Sequence, residues 1–269
     1  MICKHNSSEK EKTGFYVPAM GNAKLHALLR RINTDTELQQ LWKCANVNAV
    51  DRGGISDHGE VHVQIVANAG LKLIRLLAKG GVTPSVVKDH GMKTEDSEVI
   101  VFLAACLHDI GIAVHRDNHE RYSLMMAYPK IRELLGGIYE EPERTMVTAE
   151  TLHAIVAHNT NEKCLTIEAG VVKVADTLDM TEGRSRIPFE AGKVNIHSVS
   201  AQAISSVTIE KGINRPVRIV IQMTHSAGIF QVDELLRKKL KNSTLEDHIE
   251  IEAKVENETE RRLFEVYAF

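Results

Sequence analysis

The apolar run EVIVFLAACL, at residues 98–107, constrains the fold of this chain more than any other stretch. It is apolar nearly all round, so a helix formed by it is expected to be buried on every side and to lie at the centre of the fold. The run leads directly into His108 and Asp109. These side chains are costly to bury unless they are paired or bind a metal ion. The sequence therefore predicts a central helix that ends in a functional site.

Helical periodicity extends on both sides of the central run, from about residue 21 to 182. The preceding helix has one face at helical spacing and is expected to stop at Gly80-Gly81; this face is formed by His62, Val66, Ala69, Leu73 and Leu76. Asp96 or Ser97 is the predicted cap of the central helix, and Asn118 that of the helix running to Leu135. Further helices are predicted in 24–44, which holds two, and at 144–158 and 166–180.

The pattern changes near residue 200, where a period of two residues replaces the helical period. Four segments alternate in this way: SVTIEK, VRIVIQM, HIEIEAKV and RLFEVYAF. An amphipathic helix at about 229–240 separates the second from the third. We therefore predict a mainly α protein, with a polar N-terminal tail at 1–20, an all-helical domain at 21–195 and a small α+β (ββαββ) domain at 196–269.

Composition indicates which kinds of partner the protein binds and in which cellular compartment it lies. The 269 residues carry a formal net charge of -3, which is not the basic footprint expected of a nucleic-acid-binding protein. The four cysteines have no CxxC spacing and are typical of free thiols in a reducing compartment. No signal peptide or membrane-spanning run of about 18 apolar residues is evident. We expect a cytoplasmic protein that binds neither nucleic acid nor a membrane.

Several histidines and an aspartate interrupt the apolar faces of different predicted helices. His62 lies on its own apolar face with His58 one turn earlier, Asp176 interrupts AGVVKVADTLDM, and His158 ends HAIVAHN. A single histidine on such a face is more often a hydrogen-bonded core residue than a ligand. Because several such residues come from separate helices, and His108 is paired with a carboxylate, the pattern favours a metal site.

The order of these residues resembles that of the HD superfamily of metal-dependent phosphohydrolases, which is named for its His-Asp doublet. The resemblance covers about residues 50–185 and rests on LHDIG and VADTLDM. It implies an all-helical domain in which His62, His108, Asp109 and Asp176 bind a divalent metal.

Two more segments are similar to the binuclear branch of that superfamily, which includes the HD-GYP phosphodiesterases. NHERYSLMMA implies His119 as a further ligand, and AIVAHN implies His158. His58 is a candidate extra ligand. The resemblance therefore implies two divalent transition-metal ions (Fe, Mn, Ni or Zn), with Asp109 bridging them.

The chain departs from the HD-GYP pattern at several positions. Ile112 replaces the lysine after HDIG, Asn159 replaces a second histidine, and no GYP sequence follows. These differences argue against hydrolysis of cyclic di-GMP. The actin-like domains of the exopolyphosphatases, whose C-terminal part is also similar, are not evident either.

The chemistry implied is hydrolysis of a phosphoester, from a nucleotide or another small phosphorylated molecule, by metal-bound hydroxide, with Asp109 as the catalytic residue. Arg184 and Arg186 follow the last predicted ligand and are candidates to bind the phosphate, because guanidinium groups fit its oxygens. Lys173, one turn before Asp176, is a further candidate.

Two other functions stay open on the sequence alone. The missing lysine at Ile112 favours a catalytically weak HD-fold module that binds a nucleotide or other ligand, with the ββαββ domain as its output or as the contact of a homo-oligomer. A di-iron oxygenase is the other alternative, because inositol oxygenase uses a related set of ligands.

Overall fold

The computed structural model describes residues 14–181, 200–256 and 266–268. Within residues 14–181, eight α-helices are present: α1 (Ala23–Thr34), α2 (Thr36–Asn46), α3 (Glu60–Lys79), α4 (Ser85–His90), α5 (Thr94–Leu107), α6 (His119–Leu135), α7 (Glu143–Ala157) and α8 (Ile167–Thr177). The predicted helices are confirmed, including the break between α1 and α2 and the stop of α3 at Gly80.

Helix α5 lies at the centre of the bundle, as its composition predicts. Every residue from Val99 to Leu107 is buried, and the helix packs against α3, α7 and α8. The predicted cap at Asp96 or Ser97 was wrong, because α5 begins at Thr94 and Asp96 lies in its first turn. There the Asp96 carboxylate accepts a hydrogen bond from the backbone N–H of Lys93 at 2.9 Å.

Helix α3 crosses α5 and α8 and supplies one wall of the core. Within the described part of the chain it is the one helix whose length and composition would allow it to span a membrane. Half of this apolar stretch is buried inside the protein. The packing of α3 is therefore that of a core helix.

The C-terminal unit, residues 200–256 and 266–268, contains a four-stranded sheet in the order β1-β2-β3-β4. Its elements are β1 (Ile204–Lys211), β2 (Val217–Met223), the helical segment α9 (residues 229–241), β3 (Ile249–Val255) and β4 (Val266–Ala268). Strands β2 and β3 are parallel, and the other neighbours are antiparallel. Parallel neighbours need a crossover, and α9 provides it. The predicted ββαββ order is confirmed.

The two parts share one continuous apolar core. Helix α9 packs against α8, and strands β1 and β2 contact α3. The domain boundary predicted at 195 lies outside the described residues. The polar tail predicted for 1–20 needs a correction at its end, because Phe15 and Val17 are buried in the core.

Candidate metal centre

Four side chains from three helices of the bundle meet at the C-terminal end of α5. His62 comes from the first turn of α3, His108 and Asp109 follow α5, and Asp176 comes from the last turn of α8. One nitrogen or oxygen atom of each lies within 4.8 Å of the corresponding atoms of the others. This set is the inner group, and it consists of the four residues predicted as core ligands.

A second cluster lies next to the first and shares Asp109 with it. His119 is the first residue of α6, and His158 directly follows α7. These two histidines are the outer group, and their ligand atoms lie within 4.8 Å of each other and of an oxygen of Asp109. The structure therefore brings together all six residues predicted as metal ligands.

The carboxylate of Asp109 stands between the two groups. Its Oδ2 atom lies 3.2 Å from Nε2 of His108 and 3.4 Å from Nε2 of His62. Its Oδ1 atom lies 3.0 Å from Nε2 of His119. Each oxygen therefore faces a different group, which is the arrangement of a bridging carboxylate.

The imidazoles turn the same ring atom towards the centre. The Nδ1 of His108 donates to the carbonyl of Ala105 at 2.9 Å, and the Nδ1 of His158 donates to that of Ile155 at 2.5 Å. A carbonyl only accepts hydrogen bonds, so these contacts fix the proton on Nδ1 and leave Nε2 to act as a ligand.

The distances between these Nε2 atoms fit metal ions. His62 and His108 face each other with their Nε2 atoms 3.2 Å apart, and the same distance separates those of His119 and His158. Two lone pairs so close repel each other unless a cation or a proton lies between them. Imidazole nitrogens and carboxylate oxygens are also the donors that divalent transition metals take. The residues present therefore fit the ions that the resemblance implies.

The charges of the site favour a cation as well. Burial acts to lower the pKa of His108, but Asp109 and Asp176 outweigh it and raise that pKa to about 10. Burial acts against the charged form of both carboxylates, yet their cationic neighbours hold the pKa of each well below its ordinary value. For His158, burial and then the nearby His108 lower the pKa to about 3. The two carboxylates thus favour a positive charge beside His108, and a metal ion would supply that charge in place of the imidazole proton.

Two residues of the centre were not predicted from the sequence. Asp179 accepts from Nδ1 of His62 through its Oδ2 at 2.7 Å, which orients that imidazole. The one sequence signal for it is a second carboxylate three residues after Asp176 in VADTLDM. Asp179 lies beyond the end of α8, so helical spacing does not fix its direction. Lys239 of α9 donates to Oδ2 of Asp176 at 2.5 Å. No local pattern in the sequence indicates this contact.

Gly111, in the LHDIG segment, lets the two groups approach each other. A Cβ atom at this position would lie 2.1 Å from the carbonyl oxygen of His119 and 2.4 Å from the backbone nitrogen of Ser123. The Gly111 N–H donates to the Ser123 hydroxyl, which in turn donates to the carbonyl of His108. The first turn of α6, which carries His119, is therefore held directly against the His-Asp doublet.

Comparison with known proteins agrees with this geometry. A family model described as HD domain matches residues 55–181. An uncharacterized protein of Methanocaldococcus jannaschii, MJ1020, is 45% identical over 216 residues, which cover 80% of this chain and 83% of that protein. The chain belongs to the HD domain family. No solved structure matches the chain. HD domains bind divalent metals, and membership supports a function of the metal-dependent hydrolase type.

A cleft of about 770 Å³ opens onto the centre of this HD domain. Asp109, Asp176 and both residues of the outer group line it, and the C-terminal unit supplies part of its wall through Ala201, Gln231, Leu235 and Lys239. The remaining lining is mixed, with carboxylates, carboxamides and apolar side chains. The site of the HD domain is thus accessible to a small molecule from a cleft that both parts of the chain form.

The remaining predicted site residues differ in how their observed positions agree with their predicted roles. His58 lines the cleft, and its Nδ1 lies 2.6 Å from the carbonyl oxygen of Ser56. It belongs to neither group, so its role as an extra ligand stays a prediction. Lys173 is fully buried, does not line the cleft and donates to the carbonyl of Glu162, so the structure does not support its predicted role in substrate binding. Arg184 and Arg186 lie outside the described residues, and their role stays a prediction.

Two of the residues that depart from the HD-GYP pattern, Ile112 and Asn159, lie within the HD domain. Ile112 is fully buried against Ala45 and Ala49, so the side chain at this position does not reach the cleft. Asn159 lines the cleft and donates to Glu120 at 2.7 Å.

Proposed function

We propose that this HD domain protein hydrolyses a phosphoester of a small phosphorylated molecule and uses two divalent transition-metal ions. The observation that carries the proposal is the position of Asp109 at the base of the cleft, with one oxygen towards each histidine group. Paired metal ions at a shared carboxylate are typical of sites that cleave phosphoesters.

The ligands divide between two ions. The inner group would hold one ion, and Asp109 with the outer group would hold the other. When bound, the ions would supply an activated water as nucleophile and neutralise charge on the phosphoryl oxygens. Asp109 would help to hold both ions, and Asp179 keeps the Nε2 atom of His62 directed at the centre.

The cleft gives a substrate access to one side of this arrangement. Asp109, Asp176, His119 and His158 line it, whereas the buried imidazoles of His62 and His108 do not. A phosphoryl group entering the cleft would therefore approach the centre from the side of the outer group. The substrate-binding roles of Arg184 and Arg186 remain part of this proposal.

The test is turnover of simple phosphoesters by metal-loaded protein. The protein is purified without chelator, its metal content is measured, and p-nitrophenyl phosphate and bis(p-nitrophenyl) phosphate are assayed with added Mn²⁺ or Ni²⁺. We expect turnover by the wild type and its loss in His119→Ala. The matched control is His90→Ala, because His90 pairs with Glu150 away from the cleft and its removal should leave the rate unchanged.

Other results of this experiment would favour the rival functions. Fully loaded protein that turns over neither these compounds nor a panel of nucleotides would indicate a ligand-binding regulatory module. Iron in the isolated protein with the spectroscopic signature of an oxygen-reactive di-iron pair would indicate an oxygenase. The isoleucine at position 112 is poor support for a regulatory module, because Lys239 brings a lysine to the cleft from another part of the chain.

A further inference from the structure

The C-terminal unit places a lysine directly in the metal centre. Lys239 lies on α9, and its Nζ is 2.5 Å from Oδ2 of Asp176. The other oxygen of Asp176, Oδ1, lies 3.3 Å from Nε2 of His62. The lysine therefore contacts the oxygen of Asp176 that is turned away from the imidazole.

Lys239 also belongs to the wall of the cleft. Residues 231, 235 and 239 of α9 all line it, and this spacing of four residues places them along one face of the helix. Among the described residues that line the cleft, Lys239 and Arg116 are the only lysine or arginine side chains. Arg116 lies just before α6, with its Nη1 2.8 Å from Nδ1 of His119.

The charge around Lys239 indicates the kind of ligand it would meet. Five carboxylates line the cleft: Asp109, Asp117, Glu120, Asp176 and Asp179. Two divalent ions alone would not exceed this charge, but the ions together with Lys239 and Arg116 would, so Lys239 contributes to an excess of positive charge. Such an excess favours an anion in the cleft. An ammonium group has three N–H donors, so it can bind a phosphoryl oxygen while still donating to Asp176.

We propose that Lys239 binds the phosphoryl group of the substrate and that the C-terminal unit thereby completes the active site. This inference rests on the proposed function and names a substrate-binding residue for it. It also gives α9 a role in choosing the substrate, because its Gln231 and Leu235 line the same wall of the cleft.

The first test uses inorganic phosphate as the probe and metal-loaded full-length protein. Phosphate binding is measured by calorimetry for the wild type, Lys239→Gln and Lys239→Arg, and metal content is measured in each sample. A charge-assisted hydrogen bond contributes about 1.5 to 3 kcal/mol, so Lys239→Gln should bind phosphate about 10- to 150-fold more weakly. Gln can still donate to Asp176, so metal content should not change. Lys239→Arg keeps the charge and should restore part of the affinity.

The neighbouring lysine provides a matched control. Lys238 is more than half exposed and pairs with Glu234 on the surface of α9. Lys238→Gln removes the same charge one residue away and should bind phosphate like the wild type. An equal loss of affinity in both variants would show that only the general charge of α9 matters and would overturn the proposal. Unchanged phosphate affinity in Lys239→Gln would overturn it as well.

A measurement on the wild type covers the case in which the Lys239 variants do not fold. An amine-reactive reagent is applied to metal-loaded protein with and without phosphate, and mass spectrometry follows each lysine. Phosphate should slow the modification of Lys239 and leave that of Lys238 unchanged. Equal rates at Lys239 in both conditions would contradict the proposal.

The test of Lys239 and the test of phosphoester hydrolysis can fail independently of each other. Phosphate binding that depends on Lys239, together with no turnover of any phosphoester, would keep the anion site and reject the hydrolase. Turnover that survives in Lys239→Gln with an unchanged KM would keep the hydrolase and reject the role of Lys239.

Discussion

The two histidine groups of the metal centre differ in how the fold holds them. The inner group lies where α3, α5 and α8 pack together, and its imidazoles, His62 and His108, are fully buried and do not line the cleft. The outer group lies at the start of α6 and the end of α7, and both of its imidazoles line the cleft. The imidazoles of the inner group are therefore enclosed by the core, whereas those of the outer group, although also buried, border the cleft that a ligand would enter.

This difference suggests different behaviour for the two proposed ions. An ion held by the inner group would connect three core helices, so its loss should affect the stability of the whole bundle. An ion held by the outer group would lie beside the cleft, where exchange with solvent and contact with a substrate are easier. Asp109 belongs to both positions and links their occupancy.

The largest effect is expected for Asp109→Ala, because it removes the carboxylate that both groups share. Elemental analysis should find most of the metal lost from both positions, and phosphoester turnover should fall to background. Asp117→Ala is the control, since Asp117 also lines the cleft but belongs to neither group. If Asp109→Ala kept one full equivalent of metal, the two positions would not depend on a common bridge.

A large effect is also expected for Gly111→Ala, which would force the outer group away from the inner one. The new methyl group would overlap the carbonyl oxygen of His119, so the start of α6 must move. Overpacking of this kind typically costs about 1 to 3 kcal/mol of the free energy of unfolding. Urea titration should show this loss, and metal analysis should show that the outer ion is lost before the inner one.

The control for that substitution is Gly136→Ala, whose Cβ would come no closer than 3.3 Å to a neighbouring atom. Its free energy of unfolding should change much less. Equal metal loss from both positions in Gly111→Ala would mean that the close approach of α6 to Gly111 supports the inner group as much as the outer one.

The sequence was informative where the helices are strongly apolar. The fully apolar run of α5 predicted both a central helix and a site at its end, and the structure places His108 and Asp109 there. His62 and Asp176 interrupt apolar faces, so helical periodicity alone indicates that they point into the core. His119 and His158 lie at helix ends, where periodicity does not fix a direction. Only the resemblance to the HD superfamily indicated His119, and the same resemblance made His158, already noted at the end of HAIVAHN, a ligand of a second ion.

Long-range packing explains what the sequence did not predict. Lys239 contacts Asp176 across 63 residues of chain, and the contact exists only because α9 packs against α8. Lys173 was placed near the substrate because it lies one turn before Asp176. Its long side chain instead donates to the carbonyl of Glu162 inside the core. Spacing along one helix predicted a shared face but not the direction of a flexible side chain.

Substitution of either outer histidine is expected to have a smaller effect, limited to one of the two metal positions. His119→Ala and His158→Ala should each lower the metal content by about half of that of the loaded wild type, with little change in thermal stability. His62→Ala, at the core, should lower both the metal content and the melting temperature. Wild-type metal content in both outer variants would indicate a single metal position formed by the inner group.

The smallest of these effects is expected for Asp179→Asn, which tests the inner group without removing a ligand. The Asp179 carboxylate accepts the Nδ1 proton of His62 at 2.7 Å, and it thereby fixes the ring and makes Nε2 a better donor to a metal. An asparagine carbonyl can accept the same proton but lacks the charge. Loss of such a partner typically weakens metal binding about 10- to 100-fold. Competition with a chelator should therefore release one ion from Asp179→Asn at a lower chelator concentration than from the wild type, while the second ion is released as before.

Asp117→Asn removes a carboxylate from the cleft without touching His62 and should follow the wild-type curve. Earlier release of both ions together from Asp179→Asn would mean that the inner and outer positions bind metal as a single cooperative unit.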